Sequence, residues 1–151
     1  MKKVVLASVL IASFAWCSGV PAATDPLYQK ECASCHFGYQ PALLNKASWE
    51  KVMGSLSEHF GTDASLGKED SQAILSYLVR NAGNGKITTG NDTTRITLSA
   101  YFKRKHREVP LKQILQKEVG SLSNCMACHT TADKGSYSER YIVIPNYGRW
   151  E

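Results

Sequence analysis

Histidine is scarce in this chain, with four residues in 151, at positions 36, 59, 106 and 129. So few imidazoles leave little material for an enzyme site built on clustered histidines. Cysteine is also limited. Of five cysteines, all but Cys17 fall in two Cys-x-x-Cys pairs, so a structural disulfide framework has no thiols to draw on. Beyond Trp16 no apolar run reaches the length of a membrane span. There is no low-complexity segment and no internal repeat apart from those two pairs. Charge of one sign is not dominant either. Eighteen basic residues face thirteen acidic ones, for a formal +5, and two of the cations lie at the extreme N-terminus. Net charge therefore singles out no partner class.

The N-terminus has the composition of a secretory leader. Lys2 and Lys3 form a basic start, Val4 to Trp16 an uncharged apolar stretch, and Val20-Pro21-Ala22 a small-residue exit. Cleavage is expected after Ala22, with Ala23 as the near alternative, giving a leader over residues 1–22. Phe14-Ala15-Trp16 before Cys17 is too bulky for a lipoprotein processing site. The chemistry of export would also remove Cys17 and leave the four paired cysteines.

Each pair is followed directly by histidine: Cys32-Ala33-Ser34-Cys35-His36 and Cys125-Met126-Ala127-Cys128-His129. Cys-x-x-Cys-His is the attachment sequence for haem c. Two thiols add across the vinyl groups of the porphyrin, and the adjacent histidine falls beneath the ring as an axial ligand. A zinc ribbon on four thiolates and a thioredoxin-like dithiol are the competing readings. Neither explains a histidine in the same place twice. Two covalently bound haem c groups are expected, on Cys32, Cys35, Cys125 and Cys128. They would also enlarge a core that a chain of this size can hardly build alone.

The rest of the sequence reads as mainly α. Asp25-Pro26 suits a helix start running into Cys32. Trp49, Val52, Met53, Leu56 and Phe60 make a helical stripe over about 47–60, and Ile74, Leu75, Tyr77 and Leu78 another over about 68–82. Asn81 to Asp92 is rich in Gly, Asn and Thr and marks a boundary, dividing the mature chain into haem lobes at 23–85 and 86–151. In the second lobe Leu98, Phe102, His106 and Val109 share a helical face. A short helix from Pro110 to Val119 should turn Leu111, Ile114 and Leu115 inward. The tail from Tyr137 is read as an extended segment covering a haem. Lys103-Arg104-Lys105-His106-Arg107 is a dense basic run, either a solvated face or a docking patch for an acidic redox partner or haem propionates.

With His36 and His129 as proximal ligands, two irons lack a sixth ligand, and two histidines remain on apolar stripes. His59 is assigned to the first iron and His106 to the second by nearness in sequence, a crossed arrangement remaining open. Met53 competes with His59 but also fits the core stripe, and Met126 lies within its own tether. Two imidazoles per iron would leave no free coordination position and favour outer-sphere electron transfer at low potential.

Longer stretches carry a family resemblance. Trp49-x-x-Val52-Met53, Glu58-His59-Phe60-Gly61-x-Asp63-Ala64-Ser65-Leu66, Phe102-x-Arg104-Lys105-His106-Arg107-Glu108-Val109-Pro110, Val119-Gly120-Ser121-Leu122-x-Asn124-Cys125 and Ile142-Val143-Ile144-Pro145 resemble the bacterial dihaem cytochrome c family. The likeness spans nearly the whole mature chain. It implies a periplasmic, low-potential, bis-histidine protein with iron on His36, His59, His106 and His129. It also implies partnership with a small oxygen-binding monohaem cytochrome and a membrane b-type cytochrome. The first lobe resembles a reduced class I cytochrome c; the second is expected to wrap its haem irregularly. The alternative function is a small dihaem redox enzyme, a peroxidase or oxyanion reductase, whose displaceable ligand would be His106 among its cations.

Overall fold

The computed structural model describes residues 19–88 and 93–150. Most of the expected leader, Cys17 included, and Thr89 to Asp92 of the expected boundary lie outside the described residues. The fold is mainly helical, with short turns of 3-10 helix and one small hairpin. Among the described residues no helix is long and apolar enough to cross a membrane.

Helix α1 spans Pro26–Cys32. Asp25 caps it by accepting from the Tyr28 N–H at 2.8 Å, and Pro26 occupies the first turn, where a missing donor costs nothing. Helix α2 (Lys46–Met53) starts at Asn45, whose side chain accepts from Ser48 N. Helix α3 (Lys68–Arg80) carries Glu69 and Asp70 in its first turn, where the helix dipole favours negative charge. These helices enclose the main core: Tyr28, Leu44, Trp49, Val52, Met53, Ile74 and Leu78. Trp49 donates its indole N–H to Pro41 O at 2.7 Å, so this large ring enters the core without an orphaned donor. Ile74 is 0% and Leu78 1% exposed. Leu78→Ala should therefore cost about 2–5 kcal/mol through lost burial and the cavity left behind, measured as a lowered unfolding midpoint of the holoprotein.

The structure corrects the stripe expected over 47–60. Helix α2 stops at Met53, where Gly54 forms the cap and the Ser55 hydroxyl donates to Lys51 O at 2.9 Å. A turn of 3-10 helix, Leu56–Glu58, follows. His59 thus stands in a loop, and the chain then reverses through left-handed backbone at Phe60 (φ 52°) and Gly61 (φ 95°). Glycine takes such a φ without steric cost. The apolar spacing picks out Trp49, Val52 and Met53 of the core and the partly buried Leu56, but Phe60 is exposed.

A second correction concerns residues 98–119. Helix α4 covers Ala100–His106 and helix α5 only Leu111–Ile114. Leu98 precedes α4 in a 3-10 turn and is exposed. The Gln116 amide donates to Gln113 O at 2.8 Å and closes α5 early. So short a helix turns Gln113 inward and leaves Leu111 65% and Leu115 67% exposed, against the expected facing, while Ile114 is half-buried as expected.

The tail pairs β1 (Val143–Ile144) with β2 (Gly148–Arg149), antiparallel, turning at Asn146 (φ 62°). Val143 N donates to Cys128 O at 2.9 Å, fastening the hairpin to the second attachment sequence.

Candidate haem-ligand sites

The four histidines come together in two pairs. The rings of His36 and His59 have centroids 6.2 Å apart and planes 18° from parallel. Those of His106 and His129 are 6.0 Å apart and inclined at 74°. Uncrossed pairing is what the fold brings together. A metal–nitrogen bond of about 2.0 Å and about 1.1 Å from nitrogen to ring centre put two rings on opposite sides of one ion about 6.2 Å apart. Both separations suit two axial imidazoles with one metal ion between them, and neither suits rings in direct stacking contact.

Local structure sets the rings. His36 follows the C-terminal end of α1, and its Nδ1–H donates to Phe37 O at 2.8 Å. His106 is the last residue of α4. Its Nδ1–H donates to Phe102 O, one turn back, at 2.9 Å, and its ring stacks on Phe102 at 3.8 Å. Each bond selects the tautomer that leaves Nε2 with its lone pair, the form a metal requires. His59 packs against Phe60, over which Arg95 lies at 4.1 Å. His129 lies past the 3-10 turn Cys125–Ala127, its N–H donating to Cys125 O at 2.8 Å.

Burial favours the neutral form of His59, His106 and His129. It lowers the pKa of His59, with further depression from His36 and Arg95. It lowers that of His106 against the opposing hydrogen bond to Phe102. In His129 burial, then the nearby His106, brings the value down to about 4. Burial also pushes the thiols of Cys32 and Cys125 up to about 11, and that of Cys128 upward. All four thiols are free of disulfides. Among the described residues no three His, Cys, Asp or Glu side chains converge to hold a metal, so the zinc ribbon has no support.

A cavity of about 660 Å³ lies at the second pair, with Phe102, His106, Cys125, Cys128, His129 and Ile144 on its wall. It falls in the size range of cofactor pockets. Ile142 and Trp150 of the tail close another side. The first pair is more open, with Cys35 and His36 exposed. Met53 is buried in the α2–α3 core. Met126 is partly exposed in its turn. Tethering thiols and a pair of imidazoles at this separation fit haem c at both places, and the second adds apolar walls.

Three polar residues at the junction had no signal in the sequence. Tyr39 packs its ring 5.3 Å from His36 and donates its hydroxyl to Ser123 O at 2.9 Å. Gln40 and Tyr137 meet in a hydrogen bond. Their partners lie 84 and 97 residues away, beyond any local pattern.

Comparison with known proteins agrees with this geometry. Residues 28–137 match the family model described as dihaem cytochrome c. The chain is similar to the diheme cytochrome c of Shewanella baltica, at 37% identity and a TM-score of 0.74, over 83% of this chain and 97% of that one. It is also similar to a diheme cytochrome c from Rhodobacter sphaeroides, at 41% identity and a TM-score of 0.72, over 78% of this chain and 100% of that one. A second structure, of DHC purified from Rhodobacter sphaeroides, gives 43% identity and a TM-score of 0.68, over 77% and 99%. Among curated proteins none matches.

Proposed function

The chain belongs to the dihaem cytochrome c family, and from that premise we propose that it is a periplasmic electron carrier with two bis-histidine haems, His36 and His59 on one iron, His106 and His129 on the other. The family carries two covalently bound haem c groups and serves electron transfer; haem supplies one-electron chemistry at iron. The observation that carries the finer reading is the matched pair of ring separations, 6.2 and 6.0 Å. On this reading the chain would fill both axial positions at each site, and burial favours the neutral, ligating form of His59, His106 and His129. The chain also excludes water from the second site with apolar walls. With haem held this way no coordination position would be left for a substrate, and the group would supply outer-sphere one-electron transfer.

The proposed exchange partners are a soluble oxygen-binding monohaem cytochrome and a membrane b-type cytochrome, on the family likeness. Lys103, Arg104, Lys105 and Arg107 are solvent-facing on and just after α4, beside the second site. Such a basic face steers an acidic partner towards that site and raises its on-rate, an effect that weakens with salt.

The ring angles supply the test. Oxidised protein should give two low-spin magnetic resonance signals of different character. Nearly parallel planes at 18° lift the near-degeneracy of the iron dπ orbitals and give a rhombic signal. Planes at 74° preserve it and give a highly anisotropic one. A high-spin ferrous haem that takes up carbon monoxide in the native protein, or a charge-transfer band from thioether sulfur, would rule the assignment out. Native turnover of peroxide or nitrite would favour the enzyme instead.

A further inference from the structure

A ligating histidine is ordinarily oriented by the hydrogen bond its second nitrogen makes. His36 and His106 each make that bond to a carbonyl. His129 does not: its Nδ1 is buried and finds no hydrogen-bond partner in the protein among the described residues. Something else must hold this ring. Its neighbour is Tyr137, whose ring meets it edge-on with centroids 5.2 Å apart and planes at 66°.

Tyr137 is in turn held from the first half of the chain. Its hydroxyl donates to Gln40 Oε1 at 2.5 Å, and Gln40 Nε2 donates to Ala132 O at 2.5 Å. Gln40 is 0% exposed, and its amide is matched at both ends. Ala132 is tied back to the ligand itself, its N–H donating to His129 O at 3.0 Å. The same loop is cross-braced beside these anchors: Ser136 N donates to Thr131 O and the Thr131 hydroxyl to Ser136 O. One buried amide therefore clamps the loop at Ala132 and at Tyr137, and His129 is wedged against it. On its other side Gln40 follows Tyr39, whose ring packs on His36.

We propose that Gln40 is a positioning residue for the second haem site, fixing the plane of the His129 imidazole through Ala132 and Tyr137 from the opposite half of the chain. This rests on the reading of His129 as an axial ligand. The inclination of an axial imidazole sets its overlap with the iron dπ orbitals. Loosening the clamp therefore changes the signal and the midpoint of that haem, and leaves the haem of His36 and His59 as it was.

The experiment uses the purified holoprotein, Tyr137→Phe, Gln40→Met and the double variant. Magnetic resonance of the oxidised proteins and stepwise redox titration are the readouts. Tyr137→Phe removes one hydroxyl and keeps the ring against His129, so it tests the link even where Gln40→Met lowers haem retention. Each single variant should shift the highly anisotropic signal and the midpoint of its haem, with the rhombic signal unmoved. Residues in one hydrogen-bonded unit act non-additively, so the double variant should match Gln40→Met alone. Unmoved signals and midpoints in Tyr137→Phe overturn the positioning role, as do equal shifts at both haems or additive shifts in the double variant. A native protein that lacks the two low-spin signals removes the ligand assignment first, and the proposal with it.

Discussion

Glycine in place of His106 should open the second haem to exogenous ligands and leave the first closed. The native ring is held twice, by its Nδ1–H on Phe102 O and by stacking on Phe102 at 3.8 Å. Its loss leaves a gap continuous with the 660 Å³ cavity. No substitute is at hand. His36 and His59 form the other pair. Met53 is packed in the α2–α3 core, and Met126 belongs to the tether on the His129 side. Ferrous His106→Gly should therefore carry one high-spin and one low-spin haem and bind a single equivalent of carbon monoxide, where native protein binds none. Added imidazole should restore the low-spin spectrum. If the variant alone gains peroxide or nitrite turnover, the native iron is sealed and the carrier reading stands. An unchanged spectrum would mean that some other side chain fills that axial position.

Removing the second pair of tethers should cost the second half of the molecule its fold. The apolar core of the first half, from Tyr28 to Leu78, is formed by three helices against one another. Among the described residues the second half has no such cluster. Its buried apolar residues, Phe102, Val119, Ala132 and Ile144, are few, and Phe102, Val119 and Ile144 line the cavity rather than fill a core. A segment that buries so little surface of its own depends on what it binds, and losing the ligand loses the folding free energy that came with it. In Cys125→Ala/Cys128→Ala the intact mass should fall by one haem. Amide exchange protection should vanish from about residue 96 onward and persist in α1, α2 and α3, because cooperative units open separately. Protection retained in both halves would show that the second half is stable without its cofactor.

The difference between the halves explains why one was easier to read. Asp25-Pro26 and the Ile74/Leu78 stripe are local signals, and α1 and α3 appear within a residue or two of where these place them. Leu111, Ile114 and Leu115 look like a stripe too. A stripe predicts facing only if the helix lasts long enough for the period to act, and α5 is four residues long. His59 shows the same limit. It is next to Phe60 at the end of a convincing helical pattern, yet Gly54 and Ser55 end the helix first.

By itself the sequence determined the chemistry. Cys-x-x-Cys-His is read within five residues, because thioether attachment and proximal ligation need only that short stretch of chain. The scarcity of histidine then left His59 and His106 as the candidates for the two remaining ligands. Only the tertiary structure decided which imidazoles face each other, and at what angle. Those depend on where backbone brings together residues 23 apart on each side, and on a glutamine whose anchors lie 92 and 97 positions away. Periodicity reports what a residue shares with near neighbours. It carries no information about contacts made across loops, and such contacts bring the histidines into pairs and seat Gln40 against Ala132 and Tyr137.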